Sequence, residues 1–298
     1  MLERMRLLAV IMAAVEDALL VAGGLGTRMY PASAYLPKEA LPLLDIPVLL
    51  HLAHEAIAAG VKRIHIISSP SKDLSLLLQD KSHLHDKRPE LDKKLFSTFS
   101  NIDVQVHLQV DPLGLGDAIS CALDQVKGPF LVLLGDNIIL DNHTTTKDFT
   151  ASNASKKLVE SFEQYSLPCC GILPVPQEDV SNYGVVELEG NLIKNIVEKP
   201  KQEDAPSNLV LCGRYIFPLE AKKLLKEVYK VEEFGEFQSI EIQKHWMRNN
   251  GFIGVELQGF NWYDSGNPLS WLQAQVDHAL RRPDYAEEFR SWLETRLN

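Results

Sequence analysis

The chain has 298 residues, 45% of them apolar and 23% charged, enough for one large α/β domain or two smaller ones with a sizeable core. A net charge of −10 speaks against a general nucleic-acid surface, because a phosphate backbone needs a basic stripe. The four cysteines, at 121, 169, 170 and 212, have neither CxxC spacing nor the density of a disulfide scaffold, so reduced thiols in a cytoplasmic protein are expected.

In chain order, residues 1–16 form an N-terminal extension with two arginines ahead of an apolar run at 7–15. The run is too short to span a membrane and lacks a small-x-small cleavage site, so an added helix, an added strand or an upstream start codon is expected, and no membrane partner. Residues 17–22 (DALLVA) read as a buried strand. The stretch GGLGTRMYPASAYLPK follows, with glycines at 23, 24 and 26 flanked by Ala22 and Thr27. Such glycines let backbone N–H groups approach phosphate oxygens. Arg28 adds a planar fork of donors and Lys38 a compact charge, so the segment reads as a triphosphate cradle. It is not the ATPase phosphate loop, which needs Gly-Lys-Ser/Thr, nor the dinucleotide fingerprint, whose third glycine would fall at Met29. A bare strand-to-helix turn is the alternative.

Further strands are predicted at 62–68, 102–108 and 130–134, with helices at 47–59, 72–79 and 116–126, an α/β alternation. The charged stretch 81–94 reads as a solvated loop and helix face. Asp136 follows the 130–134 strand, where open α/β sheets bind ligands, although a turn role in GDN is also open. After a polar connection from 141, a helix is predicted at 156–165 and strands at 169–175, 184–188, 192–198, 208–217 and 252–257. Helices are expected at 218–228 and 236–249, and two more in 268–298. Asp264, after Trp262 and Tyr263, is a metal-ligand candidate or a turn residue ahead of SGNP. The expected division is a main domain over 17–267, with halves 17–140 and 141–267, and C-terminal helices over 268–298.

Beyond the glycine-rich opening stand LGLGDAISCAL (113–123), LLGDN (133–137), NYGVVE (182–187), IVEKP (196–200), GRYIF (213–217) and WYDSGNP (262–268). In this order the motifs resemble the sugar-phosphate nucleotidyltransferase family, and within it the microbial UTP:glucose-1-phosphate uridylyltransferases, over roughly residues 17–280. The resemblance implies a Rossmann-like, mixed but mostly parallel central sheet flanked by helices, and Mg²⁺-dependent transfer from UTP to glucose-1-phosphate. It implies Asp136 and Asp264 as Mg²⁺ ligands, Arg28 and Lys38 on the triphosphate, and Gln109 with Gly114 on the base. A glutamine amide offers a donor and an acceptor to the imide edge that uracil and thymine share, so dTTP stays open. Gly184, Glu198 and Lys199 are assigned to the sugar phosphate; adjacent Glu and Lys on a strand face opposite ways, so a bulge or strand end is implied there. Two departures bear on specificity. GEFQSIEIQ (235–243) has Ile240 and Glu241 where the family often has Thr and Asp, and Asp117 stands where uridylyltransferases often have His. A thymidylyl or other-sugar transferase and a silent nucleotide-sugar-binding subunit are the alternatives, and a homo-oligomer, dimer or tetramer, would use the apolar helix at 269–280.

Overall fold

The structure, a computed structural model, describes residues 14–228 and 239–297. Most of the N-terminal extension and residues 236–238 of the helix predicted over 236–249 lie outside the described residues. The strands are β1 (Asp17–Ala22), β2 (Pro42–Leu43), β3 (Ile46–Pro47), β4 (Arg63–Ser68), β5 (Asp103–Leu108), β6 (Phe130–Leu134), β7 (Asn137–Leu140), β8 (Cys169–Pro174), β9 (Gly184–Glu189), β10 (Leu192–Glu198), β11 (Leu209–Phe217), β12 (Ile253–Glu256) and β13 (Asn261–Asp264).

Nine of them form one sheet in the order β5-β4-β1-β6-β11-β8-β12-β10-β9. β1 and β6 are apolar along nearly their whole length because both faces are covered. Successive side chains divide between the faces: Leu20 packs with Leu52, Leu158 and Trp271 on one side, and Leu19 with Ile119, Phe217 and Trp246 on the other. The helices Val48–Ala58 and Ala154–Tyr165 cover the first face, Leu115–Ser120 and Ile240–Asn249 the second.

The sheet is mixed, and its expected parallel bias does not hold across the whole of it. β5, β4, β1 and β6 run parallel, and so do β8 and β12. β11 is antiparallel to both β6 and β8, and β10 to both β9 and β12. The reason is connection length: β9 and β10 are joined by a tight turn at Gly190, φ 63°, and only antiparallel partners can be joined so briefly.

Several helices are shorter than their sequence pattern predicts. The 72–79 segment has a single turn, Ser75–Leu78, and the 116–126 helix ends at Ser120. The 218–228 segment is a short helix, Ala221–Lys223, running into a π-turn, Leu224–Val228. The C-terminal part holds Pro268–Arg281 and Ala286–Leu297. The first is well started: Pro268 occupies its first turn and Asn267 accepts from the Ser270 N–H at 2.9 Å. Among the described residues no helix is long and apolar enough to cross a membrane.

Candidate active site

Parallel registry brings the strand ends together. Ala22, Ser68 and Leu108 are aligned across β1, β4 and β5, so the residues just beyond them share the carboxyl edge of the sheet. Gly23 opens the glycine loop there, Gln109 follows β5 with its N–H on the Ser68 carbonyl at 2.8 Å, and Asp136 follows β6. Gly26 takes the left-handed conformation, φ 67°, and its carbonyl accepts from Ser33 Oγ at 2.7 Å, which curls the loop into the short turn Thr27–Met29. Arg28 and Thr27 are exposed on that turn, while Lys38 is buried with Nζ 2.7 Å from Asp136 Oδ2.

The second aspartate arrives by an element that the sequence pattern does not reveal. β7 and β13 pair as a separate antiparallel ribbon in which Asp264 is opposite Asn137. Beyond it, Ser265 donates its N–H to the Asp136 carbonyl at 2.8 Å, so Asp136 and Asp264 are clamped to one spot across more than a hundred residues of chain. Asn137 Nδ2 donates to Asp136 Oδ1 at 2.9 Å, and Trp262 Nε1 to Asn137 Oδ1 at 2.6 Å. These two bonds fix the rotamer of the carboxylate from behind. Asp264 Oδ1 accepts from the Gly266 N–H at 2.6 Å, and a Cβ added at Gly266 would come within 2.9 Å of Arg28 Nη2. The glycine loop therefore meets the second half of the chain at Arg28 and Asp264.

Burial raises the Asp264 carboxyl above its ordinary value; the Gly266 N–H opposes the rise and the Asp136 charge adds to it. Two hard oxygen ligands that repel each other across one cleft fit a divalent cation, above all Mg²⁺, which takes few protein carboxylates and completes its shell with phosphate and water. No group of three His, Cys, Asp or Glu among the described residues could hold a metal, so a cation here would depend on those outside oxygens.

Asp136, Asp264 and Arg28 line a cleft of about 740 Å³ together with Tyr183, Gly184, Glu198 and Lys199. Glu198 is the last residue of β10, and Lys199 has φ 46°, a left-handed turn that breaks strand alternation. The strand end anticipated from the sequence is thus present, and both side chains reach the cleft with Nζ and Oε1 4.0 Å apart. Gly184 pairs with Glu198 across β9 and β10, and a Cβ on it would sit 3.0 Å from Glu198 Oε2.

Gln109 and Gly114 are not among the residues lining this cleft; Gln109 is bonded to Gly114 and lies against Gly23 of the glycine loop at the same sheet edge. The Gln109 amide does not offer free donors as its residue type led us to expect. Nε2 is bonded to the Gly114 carbonyl at 3.1 Å and to Asp117 Oδ2 at 2.8 Å.

Three features escaped the sequence. Lys72 and Glu39 form a buried ion pair at 2.9 Å under the loop, with Lys72 also donating to the Ala22 carbonyl at 2.6 Å. Burial lowers the Lys72 ammonium and raises the Glu39 carboxyl, so each depends on the other to stay charged. Asn137 and Trp262 brace Asp136 as described. Gln243 and Ser239 line the same cleft, with Gln243 Nε2 on Ser239 Oγ at 3.2 Å and Gln243 Oε1 buried without a partner. A lysine past a strand end and a polar residue in a helix's apolar stripe were the available signals.

A profile of the nucleotidyl transferase family matches residues 17–280. The UTP–glucose-1-phosphate uridylyltransferase 1 of Streptococcus pyogenes serotype M3 is 31% identical over 95% of this chain and 94% of its own length. The solved structure of a UTP-bound UDP-glucose pyrophosphorylase from Acinetobacter baumannii superposes with a TM-score of 0.77 at 27% identity, covering 94% of this chain and 98% of that one. A UDP-glucose pyrophosphorylase complexed with UDP-glucose gives 0.75 at 27% identity over 89% and 98%.

Proposed function

The chain belongs to the nucleotidyl transferase family, and we propose that it transfers a uridylyl group from UTP to glucose-1-phosphate, releasing pyrophosphate and forming UDP-glucose. The observation that carries the reading is the clamp between the β7–β13 ribbon and the β6 end, which sets Asp136 and Asp264 in one cleft between Arg28 and Lys199.

Nothing in such a cleft needs to act as a protein nucleophile. A phosphate oxygen of the sugar phosphate attacks the α-phosphorus, the new P–O bond forms, and the bond to the β-phosphate breaks with its electrons leaving on pyrophosphate. Reactions of this kind depend on positioning and charge stabilisation. Asp136 and Asp264 would hold Mg²⁺. Bound there, it would withdraw charge from the α-phosphate and the attacking phosphate. Arg28 and Lys38, with Gly23, Gly24, Gly26 and Thr27, would hold the triphosphate and neutralise the departing pyrophosphate. Glu198 would accept from sugar hydroxyls and Lys199 hold the sugar phosphate in line. Ordinary cytoplasmic substrates suit a cytoplasmic enzyme, and the exposed Leu269 and Leu272 of the helix Pro268–Arg281 suit self-association.

The test is Mg²⁺-dependent pyrophosphate release across UTP, dTTP, CTP, GTP and ATP, each with glucose-, galactose-, mannose- and N-acetylglucosamine-1-phosphate. Turnover greatest with UTP and glucose-1-phosphate is expected. Preference for another pair would reject the substrate assignment, and no turnover from folded protein would reject the enzyme reading.

A further inference from the structure

We propose that Lys72 is a positioning residue: by holding the Glu39 carboxylate, it prevents Glu39 from drawing the Lys38 ammonium away from Asp136 and the cleft. The proposal rests on the nucleotidyl-transfer reading, in which Lys38 meets the triphosphate, and it adds the residue that keeps Lys38 available.

Four charges of alternating sign stand in a row behind the cleft. Asp136 lines the cleft, and its Oδ2 takes Lys38 Nζ at 2.7 Å. Glu39 is the next residue along the short turn Lys38–Ala40 and is wholly buried. Lys72, from the turn beyond β4, closes the row with Nζ 2.9 Å from both Glu39 oxygens. Its third hydrogen goes to the Ala22 carbonyl at 2.6 Å. An ammonium has three donors, and here each has an acceptor. Lys72 is also absent from the residues lining the cleft, so its part in substrate binding is indirect.

A carboxylate buried to this degree needs a cation close by. The charges of two lysines act on Glu39, those of Lys72 and Lys38. With Lys72 in place both carboxylate oxygens are engaged, and Lys38 is left to Asp136. Without Lys72, Glu39 would have Lys38 as its remaining cation, one residue away. Anything that engages Asp136 sharpens this competition, because Lys38 must then turn either to Glu39 or to an incoming phosphate. The same ammonium holds the two ends of the glycine loop, since Ala22 precedes Gly23 and Glu39 follows Lys38. The stem of Lys38 runs against that loop, with its Cδ 3.4 Å from where a Cβ on Gly26 would stand.

The test is equilibrium binding of UTP, by calorimetry with and without Mg²⁺, to the full chain, to Lys38→Met, to Lys72→Met, and to Lys72→Met combined with Glu39→Leu. Melting temperatures are recorded for each. Lys38→Met should weaken UTP by about tenfold or more, the worth of a charge-assisted contact. Lys72→Met should weaken it by a similar factor, because Glu39 then takes Lys38. The double variant removes the competitor and should bind UTP nearly as tightly as the unmodified chain. It is also the variant expected to fold best, since replacing a buried ion pair by apolar groups is often neutral, whereas removing one partner is strongly destabilising. If Lys72→Met does not fold, the double variant decides alone. A merely structural pair would lower the melting temperature of Lys72→Met without giving UTP binding back when Glu39 is also replaced. Weak UTP binding by a folded double variant would therefore overturn the proposal, as would unimpaired binding by a folded Lys72→Met. Failure of the unmodified chain to bind UTP, or unimpaired binding by Lys38→Met, would instead reject the nucleotide reading beneath it, and the proposal with it.

Discussion

Lys199 shows how one backbone angle assembles a site. In regular β10 its side chain would point away from that of Glu198, and its φ of 46° is what turns both into the cleft. Lys199→Ala is expected to raise the apparent KM for the sugar phosphate by about tenfold or more, the worth of a charge-assisted contact to phosphate, with a smaller change for UTP. Equal effects on both substrates, measured by initial rates, would contradict its assignment. At this scale the sequence named Arg28, Asp136 and Asp264 as candidates, the aspartates through the resemblance of their motifs, and the structure brings the three to one cleft, with Lys38 bonded to Asp136. Lys72 was not, since its meaning depends on Glu39, 33 residues away, and on burial. The state of the Gln109 amide was not legible either. Residue type gives a donor and an acceptor, and only the partners show that the donors are used.

Elements are joined by buried polar contacts that no local pattern announces. Arg214, on β11, sends Nε and Nη2 to Glu55 of the helix Val48–Ala58 at 2.8 and 2.9 Å, and Nη2 also reaches the Asn137 carbonyl at 2.8 Å. The pair ties helix, main sheet and β7 together just behind the aspartates. Histidines make a second join: His51 and His54 on that helix, and His278 on Pro268–Arg281, bonded through Nδ1 to His143 Nδ1 at 2.8 Å. Burial lowers His51 and His278 to about 3 and His54 to about 4, from an ordinary 6.5. The unfolded chain thus binds more protons than the folded one below about 6.5, so the stability held at neutral pH declines as pH falls through that value towards the folded ones. At pH 5 each such histidine weakens the fold by about 2 kcal/mol. The melting temperature should therefore drop steeply between pH 7 and 5, and less steeply in His51→Leu; a flat profile, or an unaltered slope in that variant, would contradict the join. Strand and helix positions were largely legible from apolar runs. The β7–β13 ribbon was not, because four-residue strands carry too little periodicity to distinguish them from a motif in a loop.

Across the whole molecule, function follows from which edges of the sheet coincide. The parallel half stacks the ends of β1, β4, β5 and β6, and the loops beyond them supply the glycine loop, Gln109 and Asp136. The second half reverses direction at β11 and returns with β9, β10 and β13 to supply Gly184, Glu198, Lys199 and Asp264. Fold class was readable in the sequence, strand direction in the second half was not: a buried apolar run such as β11 looks alike whether its neighbours run with it or against it. Two halves converging on one cleft leave room for a single step between two bound substrates, with no covalent stop on the protein. The measurement that tests this most directly is the configuration at the α-phosphorus, read by ³¹P NMR, when a single diastereomer of UTP bearing sulfur on that phosphorus is converted to the nucleotide sugar. Inversion is the expected result of one in-line displacement; net retention would require a uridylyl–protein intermediate and would contradict it.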